Sequence, residues 1–156
     1  MRYDILFVKV ELIVTRLQYL LRISYAHVQM MLYRPFLHYV ANSCNATKVD
    51  KRSYACAAAC VSISRNIVHI TTDLKKRGLL IGSYWFTMYT TFFAILSLVF
   101  FVLENPDSAT GQDIFRDAME GKDTLVTLAK RSMAADRCSH TLIVSLRIIR
   151  LSRHQN

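Results

Sequence analysis

Glycine and proline are scarce in this sequence, with 4 and 2 among 156 residues. A chain with so few residues that permit or force tight turns is built from long helices. No strand pattern survives for more than a few residues, although the first dozen, MRYDILFVKVEL, alternate as much like a strand as like a helix. Cysteine is limited to Cys44, Cys56, Cys60 and Cys138, and no pair has the C-x2-C spacing of the commoner zinc fingers and ribbons. Nothing suggests a secreted disulfide framework, so a reducing compartment fits. Cys56 and Cys60 are four apart, on one helix face among Ala57, Ala58 and Ala59, as small buried thiols would be.

Carboxylates are also rare in the first two thirds of the chain. Only Asp4, Glu11, Asp50 and Asp73 precede residue 104, so a paired-carboxylate site would need the later acidic segment, which reads as solvated surface. The histidines are His27, His38, His69, His140 and His154. None stands in an HExxH pattern, and the chain has neither a Gly-rich phosphate loop nor a GxSxG elbow. Catalytic residues, metal ligands and cofactors are therefore not expected, and the chain reads as a non-enzyme. Asp4, Lys9, Glu11 and Arg16 interrupt the apolar run that a signal peptide needs. Asn45-Ala46-Thr47 fits the glycosylation pattern, a short and unspecific match.

What the chain does have is apolar residues, 53% of the total, and a net charge of +9. That composition predicts one folded domain with a sizeable core. The basic excess lies in Lys48–Arg77 and in the tail bearing Arg147, Arg150 and Arg153, mostly as solvated helix faces. No run alternates bases with aromatic residues as a single-strand nucleic-acid groove would. Leu79–Leu103 contains no charge at all. A bilayer core needs about 20 apolar residues, so a transmembrane span is one reading. Between Trp85 and Leu103 eleven residues are Phe, Ile, Leu or Val, favouring insertion by about 5 kcal/mol before the polar positions are counted. A central helix covered on all sides by other helices is the other. Ser83, Thr87, Thr90, Thr91 and Ser97 would need hydroxyl partners in either. Composition and periodicity leave both open.

Helical periodicity predicts a first helix over residues 5–34, with Leu17, Leu20, Leu21, Tyr25, Val28, Met31 and Leu32 as its apolar stripe. Pro35 should end it. A loop at residues 41–52 leads to a helix from about Ser53 to Arg77, with adjacent stripes Tyr54, Ala57, Val61, Val68 and Cys60, Ile63, Ile67, Ile70, Leu74. Gly78 is placed as its C′ residue. After an acidic loop at residues 104–107, a short helix around Gln112–Glu120 is expected to stop near Gly121. Asp123 or Thr124 would cap a further helix reaching Cys138, and a last segment would run from Thr141 to Leu151. The fold class is all-α, an irregular bundle around the uncharged stretch.

Local wording adds to this. Ser24–His38 reads SYAHVQMMLYRPFLH, Tyr54–Cys60 reads YACAAAC ahead of Ile67-Val68-His69, Trp85-Phe86 opens the apolar stretch, and Leu128–Cys138 reads LAKRSMAADRC. In that order these blocks resemble the fungus-specific transcription factor domain, the regulatory middle region of fungal zinc binuclear cluster transcription factors. The resemblance covers residues 24–138, as the C-terminal part of that domain. Residues 1–23 are an unplaced helical segment and 139–156 a basic C-terminal helix or tail.

The resemblance implies a nuclear regulator of RNA polymerase II transcription. It would act through helix–helix contacts with a coregulator, an inducer or the rest of its own domain. Tyr33, Arg34, Pro35, Phe36, Trp85 and Phe86 would be structural, with Arg34 capping carbonyls at the Pro35 break and Phe36 filling the core. The family's zinc-binding cysteine cluster, C-x2-C-x6-C, is absent from this sequence, so DNA and zinc binding would belong to a full-length protein. The front half of the regulatory domain is unmatched too, as in a truncated form, and part of the apolar faces should be exposed. The alternative reading is a small single-span membrane protein with its span at 79–103.

Overall fold

An uncharged helix with five hydroxyls close to it can be buried only if other helices supply both apolar cover and hydrogen-bond partners. The computed structural model describes residues 2–40, 50–80, 85–105, 108–129 and 132–153. Within them the chain forms α1 (Arg2–Tyr33), a 3-10 segment (Arg34–Val40), α2 (Lys51–Lys76), α3 (Trp85–Glu104), α4 (Gly111–Ala129) and α5 (Met133–Arg153). No strand occurs among the described residues, so the fold is all-α. Every other element touches α3. Met88, Ile95 and Leu98 of α3 are fully buried, each contributing about 1.5–3 kcal/mol as an upper estimate.

The uncharged stretch is shorter as a helix than its sequence suggests. Leu79 and Leu80 belong to the turn that closes α2, and α3 begins at Trp85. Gly78 has φ 66°, the Gly78 N–H donates to the Lys75 carbonyl (3.0 Å), and the Leu79 N–H reaches back to the Leu74 carbonyl (2.9 Å). This is a Schellman ending, and buried Leu74 and Leu79 make its apolar contact. α2 starts earlier than expected because Asp50 caps it, accepting from the Arg52 N–H. Its two apolar stripes are buried as expected at Ala57, Cys60, Val61, Ile67, Val68, Ile70 and Leu74, whereas Tyr54 stays exposed.

The hydroxyls of α3 find partners inside the bundle. Thr91 Oγ1 lies 2.8 Å from the Thr87 carbonyl and 2.7 Å from Thr71 Oγ1, itself 2.9 Å from the Ile67 carbonyl. Two hydroxyl protons serve these three contacts, so one threonine donates to the other and the cluster links α2 to α3. Thr90 Oγ1 meets His27 Nδ1 of α1 (3.3 Å), and Ser97 donates to the Phe93 carbonyl. Thr87 Oγ1 is buried without a partner among the described residues. α3 is long and apolar enough to cross a membrane, a property shared by core helices of soluble proteins. Here it is the hub of the bundle.

Three expectations need correction. The apolar stripe expected to bury α1 faces outward: Leu17, Leu21, Tyr25, Val28, Met31 and Leu32 are exposed, and Tyr19, Ile23, Ala26 and Met30 are buried instead. α1 is apolar on two opposite faces, so periodicity alone does not choose between them. Gly121 does not stop a helix, because α4 runs through it without a break. A Cβ there would lie 3.0 Å from Ile95 and 3.1 Å from Val68, so the missing side chain lets α4 approach α2 and α3. Finally, Asp123 and Thr124 cap nothing. The break falls after Ala129, where the Ser132 side chain accepts from the Ala135 N–H at the start of α5. α5 then runs unbroken where two segments were expected, and buries Cys138 and Leu142.

Substituting the two glycines should separate these effects. Nothing lies within 4 Å of a Cβ at Gly78, so Gly78→Ala should cost about 1–2 kcal/mol through backbone conformation alone. Gly121→Val should cost more, about 1–3 kcal/mol from overpacking with the upper end expected. Both are read by denaturant unfolding.

Candidate functional site

The residues singled out from sequence form no chemical centre: Arg34 lies against Phe93 in the middle of α3, and Trp85 and Phe86 at its start. Pro35 converts the end of α1 into the 3-10 segment that leads Leu37 into the core. Phe36 is half-buried against that core, and Leu37 is the fully buried side chain. Arg34 does not cap carbonyls; its guanidinium lies over the Phe93 ring, 5.1 Å from the centroid. Tyr33 packs on the core from its edge. Phe86 stacks edge-on against His27 (5.1 Å). Trp85 is 63% exposed, so it closes no core. The 3-10 segment and α3 border an apolar cleft of about 310 Å³, lined by Leu37, Leu96, Val99, Phe100 and Leu103 with Arg34 and His38 at its edge.

Two polar clusters escaped sequence reading because their members are far apart in the chain. In the first, the Tyr19 hydroxyl donates to Asp73 Oδ2, and Arg77 Nε donates to the same oxygen (3.0 Å). The guanidinium groups of Arg22 and Arg77 lie over the Tyr19 ring. This ties α1 to the end of α2. The Tyr19 hydrogen bond and, next, Arg77 hold the Asp73 carboxyl below the usual carboxylate range, and the bond to Asp73 raises Tyr19. In the second cluster Asp117 is buried, although it lies in the segment expected to be solvated surface. Its carboxylate accepts from Arg65 Nε and lies 3.6 Å from His69 Nε2.

Burial pushes the thiols of Cys60 and Cys138 up to about 11, as inert core cysteines require. Among the described residues no three His, Cys, Asp or Glu side chains converge as metal ligands would. Cys44, the Asn45-Ala46-Thr47 triplet, Ser83, Pro106, Asp107, Lys130 and Arg131 lie outside the described residues.

The largest feature is the outer face of α1. Phe7, Val10, Val14, Leu17, Leu21, Tyr25, Val28, Met31 and Leu32 are exposed along it. An apolar surface of this extent marks an interaction site rather than ordinary solvent exposure. The sequence contained the signal, since these are largely the residues of the predicted stripe, but assigned it to the core.

The chain is similar to proteins that carry the names of transcriptional regulators. It is 38% identical over 128 residues to Activator of stress genes 1 of Saccharomyces cerevisiae, covering 79% of this chain and 13% of that protein. It is 35% identical over 83 residues to Activator of stress genes protein 1 of Candida albicans, covering 53% of this chain and 8% of that protein. A further protein of Saccharomyces cerevisiae, named as a transcriptional regulatory protein, is 25% identical over 133 residues, covering 82% of this chain and 18% of its own length. The chain thus spans less than a fifth of each of these relatives. No family model matches it, and no solved structure does.

Two measurements test the clusters. Above its unfolded value near 3.8, Asp73 contributes stability that is lost as pH falls through its depressed folded value. Asp73→Asn should therefore flatten the acid limb of a stability-against-pH curve below about pH 4. Arg65→Met leaves the buried Asp117 carboxylate with only His69 beside it and should cost about 1–3 kcal/mol in denaturant unfolding.

Proposed function

We propose that this chain is a regulatory, non-DNA-contacting portion of a fungal transcription regulator of the zinc binuclear cluster type. It acts in the nucleus, in RNA polymerase II transcription, through helix–helix contacts and without catalysis. The observation that carries the reading is the 38% identity to a stress-gene activator over 79% of this chain. The ordered sequence blocks support it in a second way. Ala57, Cys60, Ile67, Val68, Leu128, Ala135 and Cys138 from those blocks are all buried, so the shared wording is that of a common core rather than of a reactive centre. DNA recognition and zinc binding fall to other parts of such a regulator. The outer face of α1 is where contacts with the rest of the domain or with a coregulator are made.

The reading is tested by tethering the 156-residue chain to an unrelated DNA-binding module upstream of a reporter in yeast. A several-fold rise or fall in reporter output, relative to the module alone, is expected. Output equal to the module alone, at both weak and strong promoters and with nuclear protein confirmed by a fluorescent tag, would overturn the proposal.

A further inference from the structure

The exposed residues of α1 are spaced by sevens. Phe7, Val14, Leu21 and Val28 occupy one heptad position, and Val10, Leu17, Ser24 and Met31 the position three residues on, with Tyr25 and Leu32 beside them. All are exposed. Such a row, sustained over more than three heptads, is the seam of a helix that packs against another helix along its length. It runs roughly 36 Å at 1.5 Å per residue and about 10 Å wide. The opposite face of α1, through Tyr19, Ile23, Ala26 and Met30, already packs on the bundle, so the row is not a second view of the core.

The borders of the row are mainly basic. Lys9 and the partly buried Arg16 lie along one edge, and Arg22 with Glu11 and the neutral Gln18 and Gln29 along the other; Glu11 is the one acidic residue between Phe7 and Leu32. With a net charge of +9 on the whole chain, a second copy is electrostatically the wrong occupant, whereas carboxylates flanking an apolar seam complement the edges. We propose that the outer face of α1 is the docking seam for an amphipathic helix with acidic flanks, supplied by a protein partner. The inference deepens the regulatory reading above and rests on it for the partner's biological role, but the binding itself is measured separately.

The probes are two synthetic four-heptad peptides with leucine at both seam positions, one with glutamate and one with lysine at the flanking positions. Fluorescence anisotropy against the full chain should show saturable binding of the acidic peptide, at least about tenfold tighter than the basic one and weakened by salt. The double variant Leu17→Glu, Leu21→Glu should lose that binding while keeping the far-UV circular dichroism and melting curve of the wild type, because both residues are exposed. Equal binding of both peptides, or binding of neither, would overturn the inference. So would a wild-type dimer in sedimentation that the double variant abolishes, which would make a second copy the occupant. Binding to vesicles of anionic lipid, with no peptide binding, would identify a membrane surface and overturn it as well. A tethered chain that changes reporter output while neither peptide binds would defeat this inference alone. Peptide binding without any reporter effect would defeat the regulatory reading alone.

Discussion

The fold depends on covering a helix that has no charge before its last residue, Glu104, to keep any of its faces in water. α3 itself carries the buried hydroxyls of Thr87, Thr90, Thr91 and Ser97, and a threonine buried without a partner costs about 1–3 kcal/mol. Contact with every other element gives α3 its apolar cover; Thr91 can also bond the Thr87 carbonyl of its own helix, but cover alone would leave Thr90 stranded. Thr71 on α2 and His27 on α1 stand opposite them. The register of α2 and α1 on α3 is therefore set by polar matching as well as by packing. Gly121 completes the arrangement by letting α4 come within side-chain distance of both Ile95 and Val68.

What could be read from sequence follows the range over which each signal acts. The ending of α2 is local: three cations in the last turn followed by glycine specify the Schellman turn, and the turn forms. The break at Pro35 is equally local. The burial of α1 is not, because both of its faces are apolar and the choice is made by distant partners, such as the carboxylate of Asp73 that accepts from Tyr19. Gly121 was misread for a related reason. A helical glycine costs about 1 kcal/mol against alanine, which reads as a stop until the helices crossing at that point are known. Asp117 shows the same limit, since an acidic residue in an acidic segment gives no sign that Arg65, 52 positions earlier, shields it from water.

Among the residues named from sequence, Pro35 lies where α1 gives way to the 3-10 segment, and Tyr33 and Phe36 pack partly buried on the core. The details differ: Leu37 rather than Phe36 is the deepest side chain, and Arg34 engages an aromatic ring rather than carbonyls. Trp85, at the open start of α3, is too exposed to hold the core. Its ring meets only the edges of Phe86 and Tyr89 among the aromatic groups described.

The two faces of α1 bear on how such a domain could respond to a partner. The inner face is held by the Tyr19–Asp73–Arg77 cluster near the end of α2 and by the His27–Thr90 contact with α3, with Ile23, Ala26 and Met30 buried along the same face. The outer face runs from Phe7 to Leu32, including the turns from Phe7 to Val14, where no inward-facing residue is buried. A helix gripping the outer seam would therefore order the N-terminal half of α1 more than the C-terminal half, which the bundle already fixes.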